Sequence, residues 1–222
     1  MKKWNLFSVL FVLAIGLSFS ACDNGNEPNP DDGGESNSED EIRSFFFAAD
    51  GTVEGKIDEA VDSLVFCEMD DIKKPVATAL VTNGEFSVKL PTPKKSYMTS
   101  LYTFLKYGAD TEVSDNTVQV FGSVCFVYVK GEIVGHIIVK VGQSGKEIIP
   151  CFTYAEKNFT MKGFYYNYYE DSDYDYYTAE YNIECSKGWN LVFNEYLSAE
   201  DYERMYTLND FSNLEWAIEY YQ

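Results

Sequence analysis

The chain has 222 residues, with 17 Lys and Arg against 36 Asp and Glu, a single histidine, and an aromatic content of 17%. A net charge of -19 repels nucleic acid and anionic lipid surfaces, so neither is an expected partner. With 18 Tyr and 16 Phe the chain is no disordered polyanion, and it has enough apolar surface to fold.

In chain order, the first 21 residues read as a lipoprotein signal peptide. Lys2 and Lys3 form a positive start, Leu6 to Leu17 an apolar run, and Phe19-Ser20-Ala21 a small-residue cleavage site before Cys22. The run is interrupted too soon for a membrane span, which needs about 20 apolar residues. Cys22 is therefore the expected lipidation site. Several acyl chains at about 0.8 kcal/mol per buried methylene would hold the protein at the membrane. Phe19 stands where leucine is usual; a plain secretory signal ending at Ala21 would also place the domain outside the cytoplasm. The expected address is the outer membrane, lipid-anchored and facing the cell surface. Without Lys2 and Lys3 the mature chain has 15 basic and 36 acidic residues, a charge near -21.

Residues 22–41 contain eight acids, no base and no aromatic or β-branched residue, and are rich in Pro, Gly, Asn and Ser. Such a segment cannot bury enough apolar surface to offset its ordering entropy, so a flexible acidic tether is expected. Its reach is about 25 Å at roughly 5 to 6 Å times the square root of its length.

From Ile42 onward the pattern is that of short strands. Thr52 to Ile57 alternates, Asp62 to Glu68 and Val76 to Val81 are apolar runs, and Asn83-Gly84 turns into the alternating Glu85 to Leu90, which stops at Pro91. Tyr97, Leu101, Phe104 and Leu105 share a helical face, which predicts a short helix within 96–106. Further on, Val118 to Lys130 and Glu132 to Val141 meet at Lys130-Gly131, and Ile148 to Tyr154 completes a meander. Phe159 to Glu170 and Tyr174 to Cys185 form a long hairpin, then come a strand from Gly188 to Phe193 and a last one within 214–221. Ser198-Ala199-Glu200-Asp201 suits a helix cap leading to Tyr206. The fold class is all-β, with antiparallel sandwich-like units, short hairpins and one or two short helices. A division into 42–110 and 111–222 is expected.

The segments Gly84 to Pro91, Phe152 to Gly163 and Lys187 to Phe193 resemble a group of uncharacterised lipoproteins of Bacteroidetes-type bacteria, over most of residues 50–221. The acids after Cys22 resemble the export tag of surface lipoproteins in such bacteria. The resemblance implies an all-β extracytoplasmic domain and supplies no activity.

Apart from Cys22, the cysteines are Cys67, Cys125, Cys151 and Cys185. Their even number permits disulfides in an oxidising compartment, while the apolar runs around Cys67 and Cys125 suit buried thiols. There is no CxxC pair, GxSxG, HExxH or phosphate-cradling glycine loop. His136 alternates with apolar neighbours and suits a structural role better than acid–base work.

Residues 164–181 hold eight tyrosines and five acids. Tyr165, Tyr166, Tyr168, Tyr169, Tyr174, Tyr176 and Tyr177 would offer flat amphipathic faces beside acceptors, which suits stacking on sugar rings and bonding their hydroxyls. The competing reading is that these tyrosines pair across a hairpin, half of them covering the core. Asp171, Asp173 and Asp175 resemble an oxygen-ligand loop for calcium without the glycine and distant glutamate of an EF-hand; no other cofactor is suggested. The expected function is non-catalytic adhesion or ligand binding at the envelope, with a glycan or an envelope or host protein as partner. An accessory subunit of an outer-membrane assembly is the alternative. A carboxylate-dependent glycosidase would need two carboxylates facing across a cleft, which sequence does not reveal.

Overall fold

The computed structural model describes residues 42–58, 60–69, 71–141, 146–168, 176–197, 202–208 and 214–221. The strands, in chain order, are β1 (Ser44–Phe47), β2 (Thr52–Lys56), β3 (Ser63–Glu68), β4 (Asp71–Leu80), β5 (Glu85–Lys89), β6 (Thr99–Ser100), β7 (Thr111–Val113), β8 (Gln119–Val129), β9 (Glu132–Val141), β10 (Lys146–Ala155), β11 (Phe159–Tyr168), β12 (Tyr176–Cys185), β13 (Gly188–Leu197), β14 (Tyr202–Tyr206) and β15 (Glu215–Tyr220). The expected all-β architecture is present, and among the described residues every strand pair is antiparallel except β12 with β14.

A small sheet β1-β2-β5 lies over a large one with the order β4-β3-β8-β9-β10-β13-β14-β12-β11-β7. β8 and β10 pair directly through Val120 to Ser123 and Phe152 to Ala155 and then part. Beyond that point both pair with β9, β8 through Phe126 to Val129 and β10 through Lys146 to Ile148, while β15 lines the opposite edge of β9.

The central strands are apolar on both faces, and successive side chains feed two different clusters. Phe121, Phe152, Leu191 and Phe193 enter the layer beneath the small sheet, with Phe47, Val53, Phe66, Phe86 and Trp216. Val120, Cys151 and Val192 enter an inner cluster with Leu101, Met161, Ala179, Tyr181 and Met205. A strand covered on both sides reads as a continuous apolar run rather than an alternating one. The run Val118 to Val129 has that character. In the small sheet, a Cβ at Gly55 would lie 2.6 Å from the ring of Phe86 and 2.2 Å from the carbonyl oxygen of Ser44, so only glycine leaves room for that ring.

Two turns follow directly from their residues. Asn83 and Gly84 have φ of 53° and 73°, and Lys130 and Gly131 have 53° and 80°, the paired positive values of a type I′ hairpin turn. The first carries the chain from the large sheet into the small one, closed by Thr82 and Glu85 exchanging backbone hydrogen bonds of 2.9 and 3.0 Å.

Three expectations change. The helix expected within 96–106 is a 3₁₀ turn at Lys95–Tyr97, the two-residue strand β6 and a single helical turn, α1 (Leu101–Phe104), whose N-cap is Ser100. Leu101 and Leu105 still bury as the helical face implied. Tyr202–Tyr206, expected to be helical, is a strand seated between β12 and β13. Ser198 to Asp201 lie outside the described residues. The division expected at residue 110 runs through a shared sheet and a shared core, since β3 pairs with β8 from Ser63 to Glu68 and Phe66 packs on Phe152 with ring centroids 5.0 Å apart.

Phe152 is fully buried and meets Phe45, Phe47 and Phe66 at 6.2, 5.7 and 5.0 Å, so its ring joins the two sheets. Phe152→Ala is expected to cost about 3–5 kcal/mol while urea unfolding stays a single transition by tryptophan fluorescence and circular dichroism alike. Two separated transitions would show that the sheets unfold independently.

Candidate functional site

The tyrosine-rich hairpin is formed by β11 and β12, in continuous register from Phe159 opposite Cys185 to Tyr168 opposite Tyr176. Strand alternation divides its aromatic residues. Phe164 and Tyr166 are 38% and 46% exposed, and their rings stack at 6.1 Å and 17°. Tyr165 is half-buried and packs on the inner cluster beside Met161 and Ala179. Of the tyrosines singled out in sequence, Tyr166 is therefore on the outer face and Tyr165 belongs to the interior. Tyr168, Tyr176 and Tyr177 are described as strand backbone only. Tyr169, Tyr174, Cys22 and the calcium candidates Asp171, Asp173 and Asp175 lie outside the described residues.

The outer face continues beyond the hairpin. Because β14 runs beside β12 and β13 beside β14, Phe164, Glu180, Arg204 and Glu195 form one row across four strands. Tyr166, Thr178 and Tyr202 form the next row. The Tyr202 hydroxyl donates to Glu180 Oε2 at 2.5 Å, and Arg204 Nε donates to the same oxygen at 2.9 Å. Arg204 Nη1 lies 3.5 Å from Glu195 Oε2. The Tyr202 hydrogen bond, and after it Arg204, hold the Glu180 carboxyl below the usual range, and Glu180 in turn raises Arg204. Aromatic faces thus stand beside a carboxylate and a guanidinium fixed in place by one another. Further along, the Tyr206 ring stacks on Phe193 at 5.8 Å, tying this face to the core beneath the small sheet.

The inner face of β14 is different. Glu203, between Tyr202 and Arg204, points to the interior and is 2% exposed. Its Oε1 has no hydrogen-bond partner, nor has Oδ1 of the buried Asn194.

The other candidate reactive groups are His136 and four cysteines. His136 Nε2 lies 2.9 Å from Glu219 Oε2 without the alignment of a hydrogen bond, and the ring packs on Tyr221. Cys67, Cys125, Cys151 and Cys185 are all buried free thiols. Burial pushes Cys67 up to about 11, Cys151 and Cys185 up to about 12, and Cys125 upward too, so none is a thiolate nucleophile at neutral pH. Among the described residues, no group of three or more His, Cys, Asp or Glu could hold a metal ion. A shallow depression of about 640 Å³ on the small sheet is lined by Phe46, Glu54, Lys56 and Glu85, of which Lys56 and Glu85 pair with each other at 2.8 Å.

Sequence reasoning missed Glu180, Glu195, Tyr202 and Arg204 as a set. The available signal was the alternation Tyr202, Arg204, Tyr206, which the reading of 198–206 as helical obscured. No family model, curated protein or solved structure matches this chain.

Since the Tyr202 hydroxyl and Arg204 both lower Glu180, Tyr202→Phe and Arg204→Gln should each move the Glu180 titration upward, read by carboxyl NMR. The pair is partly exposed, so each variant should cost less than about 1 kcal/mol. Its contribution is present above the unfolded carboxylate value and lost as pH falls through the lowered folded value.

Proposed function

We propose that this chain is a lipid-anchored envelope protein that captures a glycan on the outer face of β11, β12, β14 and β13, without catalysis. The observation that carries this reading is the row Phe164, Glu180, Arg204 and Glu195 beside Tyr166 and Tyr202. Apolar sugar faces stack on aromatic rings, while sugar hydroxyls need donors and acceptors already fixed in direction. Arg204 and Glu180, locked to each other, meet the second need at little ordering cost. Glu180 is held ionised by its donors, which disfavours it as the general acid of a glycosidase. The address follows from Cys22: an outer-membrane lipoprotein on the cell surface, the residues of 22–41 spacing the domain from the membrane. The kinship suggested by segments 84–91, 152–163 and 187–193, with lipoproteins of Bacteroidetes-type bacteria, belongs to the same proposal.

The mature chain on a glycan array tests the ligand class. Binding is expected, and Phe164→Ser, Tyr166→Ser and Tyr202→Ser combined should weaken it at least tenfold with only a small change in melting temperature. Binding of the triple variant at wild-type strength would remove this face from consideration, and silence across the array would remove glycans. For the address, protease added to intact cells should digest the wild type and spare Cys22→Ala; protection of a lipid-labelled wild type would place the domain on the periplasmic side.

A further inference from the structure

Glu203 sits in the interior, and among the described residues no cation offsets its burial. The groups facing it come from each neighbouring strand. β13 contributes Asn194 and Tyr196, joined by a hydrogen bond of 3.4 Å from Asn194 Nδ2 to the Tyr196 hydroxyl. β10 contributes the Cys151 thiol, whose proton is held more tightly by burial and by the charge Glu203 would carry. β12 contributes Ala179 and the buried Tyr181, whose hydroxyl donates to the Lys106 carbonyl, and β11 contributes Tyr165. No hydrogen bond reaches Glu203 Oε1 in the native packing, and a carboxylate buried in this way is strongly disfavoured in its ionised form. Exposure to water relieves that cost. The strand that carries Glu203 is short, five residues, and such exposure means parting its parallel pairing to β12 and its antiparallel pairing to β13.

We propose that Glu203 is an internal proton switch that sets how firmly β14 is docked, its loss of a proton favouring release of β14 while the rest of the sheet stays folded. β14 also holds Tyr202 and Arg204 on the outer face, so release would dismantle that row. The consequence for ligand capture rests on the reading above; the docking of β14 does not. Burial raises the Glu203 carboxyl to about 8, against 4.5 for a free carboxyl. The folded strand then binds more protons than the released one throughout that interval, so docking weakens as pH rises through it and is constant above it.

The chain has two arginines, Arg43 and Arg204, and the second lies on β14. An arginine-specific protease acting on the mature protein, with rates normalised to a short arginine peptide at each pH, therefore reports opening at Arg204. For the wild type, cleavage at Arg204 is expected to rise about tenfold per pH unit between pH 6 and 8 and to level off above, with far-ultraviolet circular dichroism of the uncut protein unchanged. Glu203→Gln should give a flat profile, and Glu203→Leu, which needs no hydrogen-bond partner, should give the same if the glutamine does not fold. A flat wild-type profile, a parallel rise in either folded variant, or loss of the whole sheet's signal at the pH where Arg204 is cut would each overturn the proposal. Because no ligand is used, failure here leaves the glycan reading standing, and failure on the glycan array leaves this one.

Discussion

The structure depends on the burial of β8, β10 and β13 on both faces. Phe121, Phe152, Leu191 and Phe193 fill the space beneath the small sheet, and their immediate neighbours Val120, Cys151 and Val192 fill the inner cluster. A one-residue slip in any of these strands would exchange the two sets, placing phenylalanine rings where valine and cysteine pack. Register is thereby specified from both sides. The stack of Phe45 on Trp216 at 4.0 Å and the packing of Phe45 and Phe47 on Phe152 secure the small sheet and β15 to this centre.

The outer face of β11, β12 and β14 is a continuation of the surface that lies beneath the small sheet at β10 and β13. Phe193 is wholly buried there, Tyr206 beside it is half-buried, and Phe164 and Tyr166 further along are open to solvent. The small sheet has only three strands and covers only part of its wider partner, so the aromatic character of the core extends into the open. Outside the cover, carboxylate and guanidinium enter the same rows.

Much of the fold was legible where alternation or turn chemistry was clean. Asn83-Gly84 and Lys130-Gly131 announce hairpin turns, and Glu85 to Lys89 alternates as a strand with one buried side. The register of β11 with β12 follows from two runs of equal length, Phe159 to Glu170 and Tyr174 to Cys185. What was hidden is explained by particular residues. Glu203 places a charged residue type on the buried side of β14, which erases the apolar alternation that would have marked a strand. Leu101 and Leu105 have helical spacing, yet only one turn forms because β6 binds β8 immediately before it. The site was half legible: the excess of tyrosine drew attention to β11, while Glu180 meets Arg204 through a parallel pairing between segments some 20 residues apart and Glu195 joins them through the antiparallel pairing of β13 with β14, which leaves no local periodicity.

The four buried thiols shape how the chain copes with oxidants. Cys125 lies in the layer under the small sheet, Cys151 and Cys185 lie in the inner cluster, and Cys67 sits at the irregularity between β3 and β4. Folding, rather than pairing, keeps these four sulfurs out of reach of disulfide exchange, so they are shielded in the native state while an unfolded copy is open to miscrosslinking. Each excursion from the native state therefore risks becoming permanent, and survival in such a medium depends on how rarely the sheets open as much as on how stable they are at equilibrium.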